Sequence, residues 1–201
     1  QACATLNIPL VHLSTDYVFD GTGIKPWHPK DATKPQNAYG RTKKIGEEGI
    51  RSLDSNYCIL RTSWVISSHG TNFVKTMLNL SKNRDTLSLI SDQIGGPTPA
   101  KDIAKACLQI VEQLKHEPSK SGTYHFSGTE DVSWAEFATE IFQQTGRSIE
   151  VIPISTCDYP TPAVRPLNSR LNCSETEEVF SIHRPDWRVG LNHILTELGV
   201  V

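Results

Sequence analysis

The sequence predicts an α/β fold: a Rossmann-like, largely parallel sheet, of which only the C-terminal part is expected here, with a smaller α/β substrate-binding cap. Two patterns predict it. Short apolar runs of strand length alternate with amphipathic stretches of helical length. The first of these, residues 8–14, is a short apolar run, as suits a strand covered on both faces.

The elements follow in order. Residues 1–7 read as the tail of a helix, and residues 8–14 as the first buried strand. Asp20-Gly21-Thr22-Gly23 is turn chemistry, and Pro26, Pro29 and Pro35 keep residues 25–37 in a loop. A Lys- and Glu-rich helix is expected over 39–53. Gly40, Gly46 and Gly49 weaken it, which implies close packing against a neighbour. Residues 57–62 form the next strand. Asn72 caps a helix carrying Phe73, Val74, Met77, Leu78 and Leu80. A short strand at 87–90 precedes Gly95-Gly96-Pro97-Thr98-Pro99, where Thr98 as cap and Pro99 as first helical residue start another helix. Its apolar face holds Ile103, Cys107, Ile110, Val111 and Leu114. Residues 123–126 are a further strand. Ser133-Trp134-Ala135-Glu136 is a capping box, leading into the core stripe Trp134, Phe137, Ala138, Ile141 and Phe142, which Gly146 ends. Residues 149–154 are extended, 158–170 form a proline-stiffened loop, and Asp186 caps a last helix with Trp187, Leu191, Ile194, Leu195 and Leu198 inward.

Composition narrows the function. The chain has 201 residues, with Lys+Arg 20 against Asp+Glu 22 and a formal net charge of −2. That balance excludes nucleic-acid binding driven by bulk basic charge. With 37% hydrophobic residues, a packed core is expected rather than disorder. No apolar run reaches membrane-spanning length, so no membrane partner is expected and a cytoplasmic setting is. Five scattered cysteines make no CxxC, which fits reduced thiols. The seven histidines show no ligand spacing, so no metal is expected.

The central chemical pattern is Tyr39-Gly40-Arg41-Thr42-Lys43. Tyr and Lys four apart share a helix face. A neighbouring ammonium and a helix N-terminus both favour the ionised phenol, the condition for proton delivery to a developing alkoxide. Lys43 can also hydrogen-bond a ribose. Upstream, at the end of a buried strand, stands Ser14-Thr15-Asp16-Tyr17-Val18-Phe19-Asp20-Gly21. Ligands of open α/β sheets gather at such carboxyl ends, and the hydroxyl of Ser14 or Thr15 can hold a substrate carbonyl. A local side-chain turn also explains Thr15-Asp16.

These segments resemble the extended short-chain dehydrogenase/reductases. Arg61-Thr62-Ser63-Trp64-Val65, Asn72-Phe73-Val74-Lys75-Thr76-Met77, Asp92-Gln93-x-Gly95-x-Pro97-Thr98 and Tyr159-Pro160-Thr161-Pro162-Ala163-x-Arg165-Pro166-x-Asn168-Ser169 narrow the resemblance to the dTDP-4-dehydrorhamnose reductase family, along essentially the whole chain. The resemblance implies hydride transfer from NADPH or NADH to C4 of dTDP-4-dehydro-6-deoxy-L-mannose. Tyr39 is then the catalytic acid, Lys43 its partner on the nicotinamide ribose, and Thr15 the group that orients the 4-keto oxygen. Ser14 joins Tyr39 and Lys43 at the cofactor. Asp16 and Trp64 contact the deoxysugar nucleotide, although Trp64 also reads as a core aromatic. Asn72 either donates to the ligand or merely caps its helix. Arg165 and Arg170 suit a diphosphate or a solvated surface equally. Gln93 has no role legible from its chemistry.

The departure from that pattern is the lack of a Gly-rich GxxGxxG turn. The sequence is therefore expected to start just before the fifth strand of the nucleotide-binding domain and to be inactive alone. Residues 1–63 and 82–130 are expected in that domain, and 64–81 and 131–201 in the cap. A homodimer is expected from the family. The rival readings are a regulatory subunit on the same scaffold, like the beta subunit of methionine adenosyltransferase, and an epimerase or dehydratase of another nucleotide sugar. Tyr17, where a dehydratase places an acid beside Asp16, argues against the last.

Overall fold

A computed structural model describes residues 1–53 and 55–201. The chain runs from one helical turn, α1 (Ala2–Thr5), into β1 (Leu10–Thr15) and a 3-10 turn at Asp16–Val18. The proline-bearing segment then leads to α2 (Ala38–Arg51) and β2 (Tyr57–Thr62). Next come β3 (Val65–Ile66), α3 (Phe73–Leu80), β4 (Thr86–Ile90), β5 (Ile94–Gly95), β6 (Thr98–Pro99) and α4 (Ala100–His116). The rest is β7 (Gly122–His125), β8 (Val132–Ser133), α5 (Trp134–Gln144), β9 (Glu150–Ile154), β10 (Asn168–Ser169), α6 (Ser174–Phe180) and α7 (Trp187–Glu197).

Strands β1, β2 and β7 form a parallel sheet in that order. Cys58, Ile59 and Leu60 of β2 are fully buried because both faces are covered, which is why the sequence shows an unbroken apolar run. On one face α4 lays Ile103, Ala106, Ile110 and Leu114 against Cys58, Leu60, Tyr124 and Phe126. The other face meets α2, where Gly46 lies over His12 and Glu47 reaches Ser14 and Arg61. The expected α/β class with a Rossmann-like parallel sheet is what the chain adopts.

A second core joins Ile66, Val74, Met77, Phe137, Ile141, Trp187 and Leu191. Each such side chain contributes about 1.5–3 kcal/mol by leaving water. The Ser133–Glu136 capping box forms as expected, and Asn72 and Asp186 cap α3 and α7. Strand β4 pairs in parallel with β9, which carries Leu87 into this second core, while Phe180 and Ile182 pack in the first. A third, smaller cluster joins Val18, Phe19, Leu171 and Cys173.

Three local expectations change. Helix α4 starts at Ala100 with Pro99 as its N-cap. Thr98 does not cap it, because its backbone pairs with Trp64 while its hydroxyl bonds Gly96 O and the Gly128 N–H. Of the three α2 glycines, only Gly40 is pressed against backbone; Gly49 faces open space. Helix α6 has no counterpart in the sequence reading. It lacks a side-chain cap bond and buries only Thr176 and Phe180, so it carried little periodic signal.

Candidate active site

The candidate residues meet at the carboxyl ends of β1 and β2, where a parallel sheet presents ligands. Thr15 closes β1. Its Oγ1 donates to Asp16 Oδ1 at 3.0 Å and accepts the Tyr17 N–H at 3.2 Å, so the local turn chemistry is real. Asp16 is 3% exposed, and its Oδ2 has no hydrogen-bond partner among the described residues. Burial pushes its carboxyl up to about 6. The hydroxyls of Ser169 and Thr15 oppose that rise, though only Thr15 makes a bond of good geometry. Thr62 stands beside Thr15 in the ladder, on the same face, and its buried Oγ1 is also unpartnered. Two orphaned polar atoms at one sheet end are what a polar ligand would satisfy.

Helix α2 brings Tyr39 and Lys43 to this place. Asn37 caps it by accepting the Gly40 N–H at 2.9 Å. A Cβ at Gly40 would overlap the Tyr17 carbonyl oxygen, so the missing side chain lets the first turn close on the 3-10 turn. Tyr39 remains 54% exposed, edge-on to Tyr17 with ring centroids 5.7 Å apart. Lys43 Nζ donates to Leu13 O at 2.5 Å, which fixes the ammonium beside β1 and leaves further N–H groups for a ligand. Burial pushes the Tyr17 phenol up to about 12, opposed by the nearby Arg165 guanidinium. The Asn37 amide donates to Val164 O at 3.0 Å, which draws the loop bearing exposed Arg165 to the same corner. Arg170 instead spends one guanidinium nitrogen on Asn168 Oδ1.

Trp64 follows Thr62 by two residues and has a left-handed backbone, φ 45°. A bulky residue held there marks a place where the surroundings over-determine the chain. Its ring stacks on Trp134 at 3.5 Å, and a Cβ on Gly95 would sit 2.9 Å from it. The same Cβ would come 3.0 Å from Ser169, so Asp16, Ser169, Gly95 and Trp64 form one continuous patch. Trp64 is half-buried, hence both a packed aromatic and an available surface. Gln93 gains a role: its Oε1 accepts from Trp134 Nε1 at 3.2 Å and its amide donates to Thr156, bracing the ring on which Trp64 rests.

Two expected site residues are placed otherwise. Ser14 does not offer its hydroxyl to a cofactor; it donates to Glu47 Oε1 at 2.5 Å inside a buried ion pair. Neighbours on a strand point to opposite faces, so Ser14 turns to α2 while Thr15 does not. Asn72 is consumed as a cap: it accepts the Lys75 N–H and donates to Ser67 O and His69 O, and none of these bonds reaches the Thr15–Tyr39 group. The sequence reading missed Glu47, Arg61, Thr62 and Ser169. The signal for Glu47 was present, since Tyr39, Lys43 and Glu47 recur every four residues on one face.

Two concavities of about 600 Å³ lie elsewhere, one between the start of α4 and α7 and one beside Arg51 and Glu175. Neither borders Tyr39, Lys43 or Thr15. Among the described residues no group of three or more His, Cys, Asp or Glu could hold a metal ion.

Comparison with known proteins gives the family. A family model described as the RmlD substrate binding domain matches residues 1–200. The dTDP-4-dehydrorhamnose reductase of Sinorhizobium fredii is 44% identical over 98% of this chain and 69% of its own length. The chain spans 65% to 69% of the length of the first curated relatives it matches. Among solved structures, the reductase of Clostridium acetobutylicum superposes with a TM-score of 0.90 at 37% identity, over 98% of this chain and 69% of that one. That of Bacillus anthracis, solved in complex with NADP, gives 0.89 at 35% identity, over 98% and 68%. The motifs at the ends of β1 and β2, the Tyr39–Lys43 helix and these matches place the chain in the dTDP-4-dehydrorhamnose reductase family.

Proposed function

We propose that this chain carries the proton-donating and sugar-binding residues of an NAD(P)H-dependent reductase that converts dTDP-4-dehydro-6-deoxy-L-mannose to dTDP-L-rhamnose. The observation that carries the reading is the docking of the first turn of α2 on the end of β1, which sets exposed Tyr39 against Tyr17 and ties Lys43 to Leu13 O, while Asp16 Oδ2 and Thr62 Oγ1 at the same sheet end have no partner among the described residues. The donor set fits a nicotinamide ribose, since Lys43 spends one N–H on Leu13 O and keeps two for a ligand. NAD(P)H, when bound, supplies the hydride to C4 of the sugar.

Each residue then has one task. Thr15 Oγ1 orients the 4-keto oxygen, exchanging its bond to Asp16 for one to the substrate. Tyr39 Oη gives its proton to that oxygen as C4 is reduced. Asp16 Oδ2 accepts a sugar hydroxyl, which ends its orphaned state. Trp64, braced by Trp134, offers a ring face to the deoxysugar. Arg165 neutralises the diphosphate. We assign residues 64–81 and most of 131–201 to the sugar-binding side and the β1-β2-β7 sheet with α2 and α4 to the cofactor side. A homodimeric, cytoplasmic enzyme that needs neither membrane nor nucleic acid completes the reading. No described helix is long and apolar enough to cross a membrane.

A dehydratase fits less well. It wants a carboxyl next to Asp16, and Tyr17 stands there instead. The test is keto-sugar-dependent oxidation of NADPH by the complete gene product, with the product identified as dTDP-L-rhamnose. Absence of turnover with NADPH and with NADH overturns the proposal.

A further inference from the structure

Below the Tyr39–Lys43 pair lies a buried charge cluster that the reaction itself does not use. Glu47 is one turn past Lys43 on α2 and is 0% exposed. Its Oε1 accepts from Ser14 Oγ at 2.5 Å and Arg61 Nε at 2.8 Å; its Oε2 accepts from Arg61 Nη2 at 2.7 Å and Arg51 Nη2 at 2.8 Å. Arg61, 1% exposed in β2, spends Nη1 on Pro29 O at 3.0 Å and faces His125 Nε2 at 3.4 Å. Its guanidinium also lies 5.0 Å from the centre of the Phe19 ring. His125 bonds Trp27 O through Nδ1, so Nε2 is free to accept from Arg61.

These contacts join the segments that carry Thr15, Asp16, Tyr39 and Lys43. Ser14 belongs to β1 next to Thr15, Glu47 to the helix of Tyr39 and Lys43, and Phe19 follows the turn that holds Asp16. Pro29 and Trp27 belong to the loop that leads into α2. We propose that the Glu47–Arg61 pair positions the reaction's proton donor: it fixes the register of α2 on β1, and Glu47 and Arg61 are positioning residues for Tyr39 and Lys43. The proposal rests on the reductase reading for the identity of the reaction, though not for the geometry.

Stability alone does not account for the pair. Two well-packed apolar side chains of similar volume commonly serve a fold as well as a buried ion pair, so the charges are better explained by the geometry they impose. Helix α2 also needs an external register, because Gly40, Gly46 and Gly49 weaken it. Among the described residues its remaining side-chain tether to β1 is the bond from Lys43 to Leu13 O. A misplacement of about 1 Å at a proton donor costs on the order of 100-fold in rate.

The test uses the complete gene product. Glu47→Asp keeps the charge but draws the carboxylate back by one methylene, and the double variant E47M/R61M removes the pair without leaving a lone buried charge. Both are expected to lower kcat about 10- to 100-fold, with KM for the keto sugar and for NADPH within about threefold of wild type. Amide exchange over residues 38–46 should quicken in both, while α5 and α7 stay protected. A folded variant of either kind with wild-type kcat and wild-type exchange in α2 overturns the proposal, as does a variant that only melts earlier. If the wild type reduces no keto sugar, the reductase reading fails by itself, and the exchange measurement still decides the role of the pair.

Discussion

Replacing Asp16 with Asn should stabilise the protein above about pH 6 and leave it nearly unchanged at about pH 4. The carboxyl is 3% exposed, and burial moves it from 3.8 to about 6. Between those values the folded chain holds a proton that the unfolded chain has released. Unfolding free energy therefore falls as pH rises through the window, and the loss is complete above it. One proton costs about 1.4 kcal/mol per pH unit, so the window of about two units costs about 3 kcal/mol. Asn keeps the shape and can still accept from Thr15 Oγ1, but never carries the charge. His125 works in the opposite direction: burial and Arg61 press it down to about 3, so it adds stability as pH rises toward its ordinary value. That contribution is common to both proteins and cancels in the difference. Urea unfolding followed by tryptophan fluorescence, across about pH 4 to 8, gives the difference directly. A gap between D16N and wild type that does not change with pH refutes the reasoning, because it means the buried carboxyl titrates alike in both states.

Other substitutions probe the site's construction. Tyr39→Phe should lower kcat by about 10²- to 10⁴-fold with little change in KM, as read by steady-state kinetics. Gly40→Ala should lower both Tm and kcat, since its Cβ would overlap the Tyr17 carbonyl, whereas Gly49→Ala, facing open space, should raise stability by about 0.5–1 kcal/mol; thermal melts of the two separate the cases. Gly95→Ala places a methyl 2.9 Å from the Trp64 ring, so a shifted tryptophan emission and a raised KM for the sugar nucleotide are expected.

Much of the site was legible because its parts are local in sequence. Tyr39 and Lys43 are related by helix geometry, and Thr15 and Asp16 by the end of a strand. The capping box at Ser133 and the stripe ending in Phe142 were equally local, and both stand in the structure. The partner of the Ser14 hydroxyl was not legible, because alternation along β1 sends it to Glu47 on α2, a fact that depends on which face α2 covers. Asn72 suits either ligand or cap by its chemistry, and its three side-chain bonds run to its own loop and helix. Helix α6 escaped because seven residues with two buried positions do not establish a period.

The sequence by itself determined the class of fold, most of the element boundaries and the tyrosine–lysine pair, since these rest on periodicity and on spacings of a few residues. Tertiary structure alone decided which groups share the sheet end. Arg61 lies 14 residues from Glu47 and 64 from His125, and Ser14 lies 33 from Glu47. Pairings at such separations follow from strand order and helix docking, which no local pattern encodes. The raised Asp16 carboxyl has the same origin: its burial is a property of the packed sheet end, where several distant segments together exclude water.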